Sequence, residues 1–470
     1  MSFPLDLLSP KILPPLEVDF RPAVLANRNF RLQTAATGVP FVIGLERCDG
    51  GFSRYEGKVF PAEHPKAGAN LEYIERLAKF LLWQRGAFRL YFGGPWEIGE
   101  HIARCYAPDG KRRFEHQFMG EQVYEQPFQV VVCTVEQVPA ASGTGILLGR
   151  HLDGCRIGFD LGASDRKVSA VVDGKVVYSQ EVVWEPRKHA DPDYHYREIV
   201  TALKTAARAI ARVDAIGGSS AGIYIDNRPM VASLFRSVPK ERFGEVRNLF
   251  LRIREEFGVP LEVINDGDVT ALAGSMSIGE NGVLGIALGS SEAAGYIDLE
   301  GRITGWLNEL AFAPIDFSPD APVEEWSGDR GCGASYLSQA CVFRLAPKVG
   351  IEIPADLTDA GKLKFVQDQL ESGHPSALKI WESMGIFLGY ALAHYADFYD
   401  IRHVLILGRC TSGRGGDLLL NHARNVFETE FPELTHKIML HLPDEKVRRV
   451  GQSVAAASLP VLNDGSIQKL

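Results

Sequence analysis

A β-branched run that stops at Asn-Asp-Gly and restarts at once as an alanine-rich helical pattern limits this chain's options most: Val263-Ile264-Asn265-Asp266-Gly267-Asp268-Val269-Thr270-Ala271-Leu272-Ala273. A strand that feeds directly into a helix is an α/β device, and it holds a carboxylate near a helix N-terminus. Asp266 is therefore the candidate catalytic base. A plain helix cap by Asp266 or Asp268 is the competing account.

The residues around this junction repeat one other shape. Arg156-Ile157-Gly158-Phe159-Asp160-Leu161-Gly162-Ala163-Ser164 is an apolar strand opening into Asp-x-Gly-x-Ser, followed by strands over Val168–Val172 and Val176–Gln180 joined at Asp173-Gly174-Lys175. Such a turn presents N–H groups and hydroxyls to a phosphate, and an Asp at the strand end can hold a metal-bound water. A bland hairpin explains it equally well on its own. Gly282 to Ile297 repeats the form, with Gly289-Ser290-Ser291-Glu292 at the turn. Between the two lie a helix over Tyr196–Ala211, the strand and small-residue loop Ala215–Gly222, and a helix over Glu241–Phe257. Two phosphate-type hairpins flanking an Asp-bearing helix start make a rarer pattern than any one part. Downstream, a helix over Trp381–Tyr399 precedes the strand His403–Leu407, the turn Gly408-Arg409-Cys410-Thr411-Ser412-Gly413 and a helix over Asp417–Glu428. A glycine-rich strand-to-helix turn lets a nucleoside lie against backbone; an ordinary βα loop is the alternative.

Residues 1–150 are harder to read. Pro10, Pro14 and Pro15 favour an extended arm over Leu5–Leu16. Strands are expected around Phe41–Leu45, Tyr55–Phe60 and Phe88–Phe92, with helices over Asn70–Gln84 and Trp96–Tyr106. The shapes of Ile43–Phe60 and Arg89–Ala103 echo Ile157–Tyr178 and His403–Ala423, as a degenerate duplication or by coincidence.

Composition excludes several classes of function. A formal net charge of −9 disfavours general affinity for nucleic acid or an anionic membrane. No apolar run reaches the ~18 residues of a membrane span, and Met1–Asp6 lacks a signal-peptide pattern, so a cytoplasmic protein is expected. The seven cysteines are scattered without a CxxC pair, which signals neither a disulfide framework nor a zinc site.

The order Asp160-Leu161-Gly162-Ala163-Ser164, Asn265-Asp266-Gly267-Asp268, Gly289-Ser290-Ser291 and the late glycine-rich turn resembles the actin-like ATPase superfamily, and within it the ROK family of sugar kinases and repressors. The resemblance covers roughly residues 155–460. It implies an α/β chain of two ribonuclease-H-like domains with an interdomain cleft, over 151–275 and 276–470, the C-terminal helix packing back on the first. An additional α+β extension over 1–150 precedes them. It implies ATP and Mg²⁺ as cofactors and a sugar or polyol as substrate, with Asp266 deprotonating a sugar hydroxyl. Gly162, Ala163 and Ser164 match the first phosphate loop, Gly289, Ser290 and Ser291 the second, and Gly408 with Arg409 the adenosine loop. Asp160 would hold Mg²⁺ through water, and Asn265 would touch the sugar. No nucleic-acid or membrane partner is expected, and a homodimer is.

The chain also departs from the family pattern. Where family kinases carry Glu-x-Gly-His and a cysteine-rich zinc run, this sequence has Asn308-Glu309-Leu310-Ala311-Phe312 and Trp326-Ser327-Gly328-Asp329-Arg330-Gly331-Cys332-Gly333-Ala334. One cysteine cannot assemble a tetrahedral site, so no zinc is expected. Glu309 and Asp329 are candidate sugar ligands, with Trp306, Trp326 and Arg330 as pocket or interface residues. Glu292 would repel a triphosphate unless it points away. Two readings stand: an ATP-dependent sugar kinase, or a non-catalytic sugar- or nucleotide-binding sensor of the same fold. A DNA-binding regulator would need a basic helix-turn-helix that the first 150 residues do not show.

Overall fold

Alternating apolar positions and a Gly50-Gly51 turn make the first hairpin. Strand β1 (Val39–Glu46) pairs antiparallel with β2 (Phe52–Val59). The computed structural model describes residues 5–143, 148–442 and 445–462, with side chains of 445–450 left aside. Its contacts divide the chain into two units: residues 1–144, 286–294 and 305–442, and residues 145–285, 295–304 and 443–470.

In the first unit, β3 (Arg89–Gly93) runs antiparallel to β1, and β4 (Gln129–Cys133) parallel to β3, giving the order β2-β1-β3-β4. The helix Ala69–Arg85 has the apolar face expected of Leu77, Ala78, Leu81 and Leu82, but its polar side is buried too: Glu75, Lys79 and Gln84 are each at most 1% exposed. A helix buried all round needs partners for its charges, and here they are ion pairs. The aromatic rings of Phe30 and Tyr73 stack at 3.9 Å, tying the helix Ala23–Thr34 to it. Later in the same unit the long helix Pro375–Tyr395, with 16 of its 21 residues buried, packs on Arg414–Glu430.

The second unit is built on a five-stranded sheet. Strands β5 (Cys155–Leu161), β6 (Asp165–Val172) and β7 (Lys175–Val183) form an antiparallel meander, with Asp173-Gly174 in positive φ at its second turn. β8 (Ala215–Ser220) joins β5 in parallel. The short hairpin β9 (Ile223–Ile225) and β10 (Arg228–Val231) follows, and β11 (Leu261–Asn265) then joins β8 in parallel, for the order β11-β8-β5-β6-β7. One core gathers Ile157, Phe159, Leu203, Phe250 and Ile253. The helix Glu445–Ala457 lies so close to β5 and β8 that a Cβ on Gly158 would meet the Ser453 carbonyl at 1.9 Å, and one on Gly217 the Ala456 carbonyl at 1.7 Å. Those two glycines are what lets this helix sit on the strands.

The remaining sheet comprises β12 (Val283–Leu288), β13 (Glu292–Ile297), β14 (His403–Leu407) and β15 (Met439–His441), in the order β13-β12-β14-β15. The resemblance in shape between Ile43–Phe60 and Ile157–Tyr178 stops at the hairpin. The next strand in the sheet is antiparallel in one case and parallel in the other. Among the described residues no helix is long and apolar enough to cross a membrane.

Candidate functional site

Three parallel strands in the second unit end side by side. Residue register sets Asp160 opposite Ser219, and Asn265 opposite Ser220. Neighbouring strands lie ~4.8 Å apart, so Asp160 and Asn265 are held ~10 Å apart with β8 between them. The carboxyl ends of parallel strands are where α/β sheets take ligands.

Asp160 is 7% exposed; the Ser219 hydroxyl donates to its Oδ1 at 2.7 Å, and Lys167 Nζ stands 3.5 Å from Oδ2. Burial raises its pKa, against the pull of Lys167 and Ser219. The turn beyond it is held by Gly162 N–H donating to the Asp165 carbonyl (2.9 Å) and by Trp184 Nε1 donating to the Gly162 carbonyl (2.9 Å). Ala163 and Ser164 are exposed at its tip.

Asp266 is the first residue of the helix Asp266–Ile278. The cap is Asn265: its Oδ1 accepts from Gly267 N–H at 2.6 Å, while its Nδ2 donates to the Gly222 carbonyl at 2.7 Å. Asp266 Oδ1 also accepts from Gly267 N–H, at 3.0 Å. Asp268 is buried and accepts from Tyr296 N–H. Capping is therefore led by Asn265, with a half-buried carboxyl left beside it. Burial first, and the Asp160 charge second, push Asp266 up to about 6. Such a carboxyl is ionised at neutral pH yet basic enough to take a proton. Ser219, Ser220 and Tyr224, whose hydroxyl donates to Ser220 Oγ at 2.6 Å, complete the surroundings. None of these three stands out in the sequence, where the only signal is the break of strand Ala215–Ser220 into small residues.

The remaining candidates lie in the first unit. Gly289 N–H donates to the Ser291 carbonyl, closing a tight turn, and Gln339 N–H donates to the Gly289 carbonyl. Ser290 and Ser291 are exposed and line a cavity of about 680 Å³ with Ser335, Ser338, Arg344 and Asp359. Gly408 has φ +98°, and a Cβ there would fall 2.4 Å from the Leu288 carbonyl oxygen, so this turn requires glycine. Arg409 is exposed, and its carbonyl accepts from Gln367 Nε2 at 2.7 Å. Glu292 does point away from the exposed hydroxyls: it is 2% exposed and contacts Tyr395.

Glu309 is half-buried, its N–H donating to the Trp83 carbonyl. Phe312 packs against Trp83 (4.3 Å between ring centres) and Trp326 (5.5 Å). Asp329 is drawn into an internal ion cluster: its Oδ2 is 2.5 Å from Lys79 Nζ and 2.8 Å from both Arg76 Nη1 and Arg112 Nη1. Despite burial, those three cations hold it far below the usual carboxylate range. An oxygen shared by three cations is committed to the interior. Cys332, fully buried, has its sulfur 3.5 Å from Lys79 Nζ. Arg330 donates to the Ala321 carbonyl, and Trp306 lies under Arg85. None of the seven cysteines is in a disulfide, and among the described residues no group of three His, Cys, Asp or Glu side chains is arranged to hold a metal ion.

No protein-family model and no curated sequence matches the chain. Solved structures do. A ROK family glucokinase from Streptomyces griseus, in complex with glucose and AMPPNP, is 20% identical, with 64% of this chain and 99% of that one covered at a TM-score of 0.50. The ROK hexokinase from Thermus thermophilus is 17% identical (64% and 98% covered, TM-score 0.51). A ROK family transcriptional regulator, a homologue of the E. coli MLC protein, is 19% identical (66% and 78% covered, TM-score 0.52). The chain thus shares the two-domain α/β fold of these proteins, and about a third of it lies outside the likeness.

Proposed function

We propose that this protein is a divergent ROK-type sugar kinase that transfers a phosphoryl group from ATP to a hydroxyl of a sugar or polyol, with Asp266 as general base. The observation that carries the reading is Asp266 itself: a half-buried carboxyl at the end of a parallel strand and the start of a helix, raised to about 6 beside a second carboxylate. Asn265 fixes the backbone there by bonding to Gly222 and Gly267, so the base is pre-positioned. The proton of the sugar hydroxyl passes to Asp266 as its oxygen attacks. Asn265, half-exposed beside it, and Glu309 are the sugar ligands in this reading. Gly162, Ala163 and Ser164, together with Gly289, Ser290 and Ser291, offer N–H groups and hydroxyls to phosphate, and Gly408 with Arg409 receives the nucleoside. The inward turn of Glu292 supports nucleotide binding, because it takes a carboxylate away from the Ser290-Ser291 surface.

Asp160 fits magnesium as a partner through water rather than as a direct ligand, since Ser219 and Lys167 already face its two oxygens. Bound with the nucleotide, magnesium would neutralise phosphate charge. Asp329, held by its three internal cations, takes no part in sugar binding in this reading.

The test is calorimetric titration with Mg-ATP, followed by a panel of hexoses, amino sugars and polyols assayed for ADP release. Saturable nucleotide binding and sugar-dependent ADP release are expected. Sugar binding without nucleotide binding would replace the kinase by a sensor.

A further inference from the structure

Glu292 opens β13 directly after the exposed hydroxyls of Ser290 and Ser291, with its own side chain sealed inside the first unit. Its Oε1 lies 3.0 Å from the hydroxyl of Tyr395, the last residue of the helix Pro375–Tyr395. Its Oε2 has no hydrogen-bond partner and rests against Gly333, where a Cβ would come within 2.1 Å of it and within 2.6 Å of the Leu310 carbonyl oxygen. One carboxyl thus touches the strand leaving the turn, the end of a long helix, and the short turn Gly333–Ser335, which packs on the turn Leu310–Phe312. The latter turn starts from Glu309.

The groups acting on its charge are Tyr395 and Glu309, neither a cation. Tyr395 is in turn flanked by Tyr399 and the Cys332 thiol. An ionised Glu292, itself closed off from water, would also feel the charge of the Glu309 carboxylate, and both effects favour the acid form. Burial, with the Glu309 charge adding and the Tyr395 hydroxyl opposing, pushes the carboxyl up to about 8.

We propose that Glu292 is a positioning residue for the Ser290-Ser291 turn: its undissociated carboxyl clamps that turn to Tyr395 and to the Glu309 segment, and ionisation releases the clamp. The clamp follows from the packing alone; its effect on turnover rests on the phosphoryl-transfer reading. Releasing it lets water reach the carboxylate and moves the two hydroxyls from where they meet phosphate. Gln at this position keeps the shape and cannot ionise.

The experiment compares the unaltered protein with Glu292→Gln, each shown to be folded by circular dichroism. Amide exchange over residues 286–294 is measured at pH 7 and pH 9, the two proteins always compared at the same pH. The unaltered protein should exchange about tenfold faster than the variant at pH 9 and no faster at pH 7. In parallel, the ratio of kcat/KM for ATP at pH 7 to that at pH 9 should be about ten for the unaltered protein and near one for the variant. Tyr395→Phe, which removes one of the clamp's own contacts, should speed exchange over residues 286–294 already at pH 7 and serves if the Gln variant does not fold; unchanged exchange there overturns the clamp. Equal exchange in both proteins at pH 9 overturns the clamp, even if ADP release is robust. A folded Gln variant that turns over at neither pH, where the unaltered protein does, overturns it too, because then the proton of the acid is used rather than its neutrality. A difference in exchange in a protein that never releases ADP leaves the clamp standing and removes the kinase.

Discussion

Two residues two strands apart set the chemistry open to the second unit. Asp160 and Asp266 both have pKa values raised by burial, and the Asp160 charge adds to the rise at Asp266. If Asp266 is the base, it must be ionised to act, so kcat/KM should fall about tenfold per pH unit below about 6. Asp266→Asn removes the acceptor with little change in shape, and should lower kcat by ~10²–10⁴ while leaving ATP affinity nearly as before. Steady-state rates of ADP release with the best sugar, plus titration of ATP into the variant, check both parts. A variant that loses less than tenfold would mean Asp266 is not the base. The position of Asp266 could be read from Val263–Ala273 because strand, cap and helix are consecutive in the chain. The roles of Ser219 and Tyr224 could not, since both depend on which strand lies next to which, and a lone sequence does not state that. Nor could it separate the cap from the base, a division that Asn265 makes by bonding on both sides.

At the scale of elements, the helix Ala69–Arg85 and the stretch Trp326–Ala334 depend on each other. Lys79 and Arg112, at 0% and 2% exposed, share Asp329 with Arg76, while Glu75 takes Arg112 and Lys111, and Glu115 stands 3.4 Å from Lys79. Buried ion pairs of this kind add little net stability, but breaking one strands the partner charge. Asp329→Ala leaves three cations facing one another and should cost about 3–5 kcal/mol, read from urea unfolding followed by tryptophan fluorescence. A loss under about 1 kcal/mol would mean that water reaches the cluster. The helix was legible by its apolar period, Asn70–Gln84 against Ala69–Arg85 observed, and β3, β14 and β5 were legible within a residue or two. The helix expected over Glu241–Phe257 is interrupted at Asn248, and the one expected over Tyr196–Ala211 starts at Pro192 behind the Asp191 cap. The sequence alone does not single out the helices Ala23–Thr34 and Asp359–Glu371, which tertiary contact sustains. Asp329 looks like a sugar ligand in the sequence because its cations lie some 220 to 250 positions upstream, a separation that no local pattern reveals.

At the scale of the molecule, the perturbed groups do not all favour the neutral range. Glu292, at about 8, and Asp266 and Asp316, each at about 6, bind protons in the folded chain that they would lose on unfolding. Their contribution is fully present below their ordinary pKa and is lost as pH rises through 6 and then 8. Glu75, drawn down to about 2 by Arg112, Lys111 and Arg76, and Asp329, drawn lower by its three cations, act in the opposite sense. So does His394, which burial holds at about 3, since it must gain a proton on unfolding anywhere below its usual value. Near neutral pH the raised acids outweigh the others, and stability falls with increasing pH; below about pH 4, Glu75, Asp329 and His394 together reverse the slope. The melting temperature should therefore peak in mildly acidic solution, about pH 4–5, rather than at neutrality, and decline steadily toward pH 8. Differential scanning calorimetry at half-unit steps from pH 3 to pH 9 checks it. A maximum at pH 7 or above would show that Glu292 and Asp316 are hydrated in solution, because only access to water would let both ionise without cost to the fold.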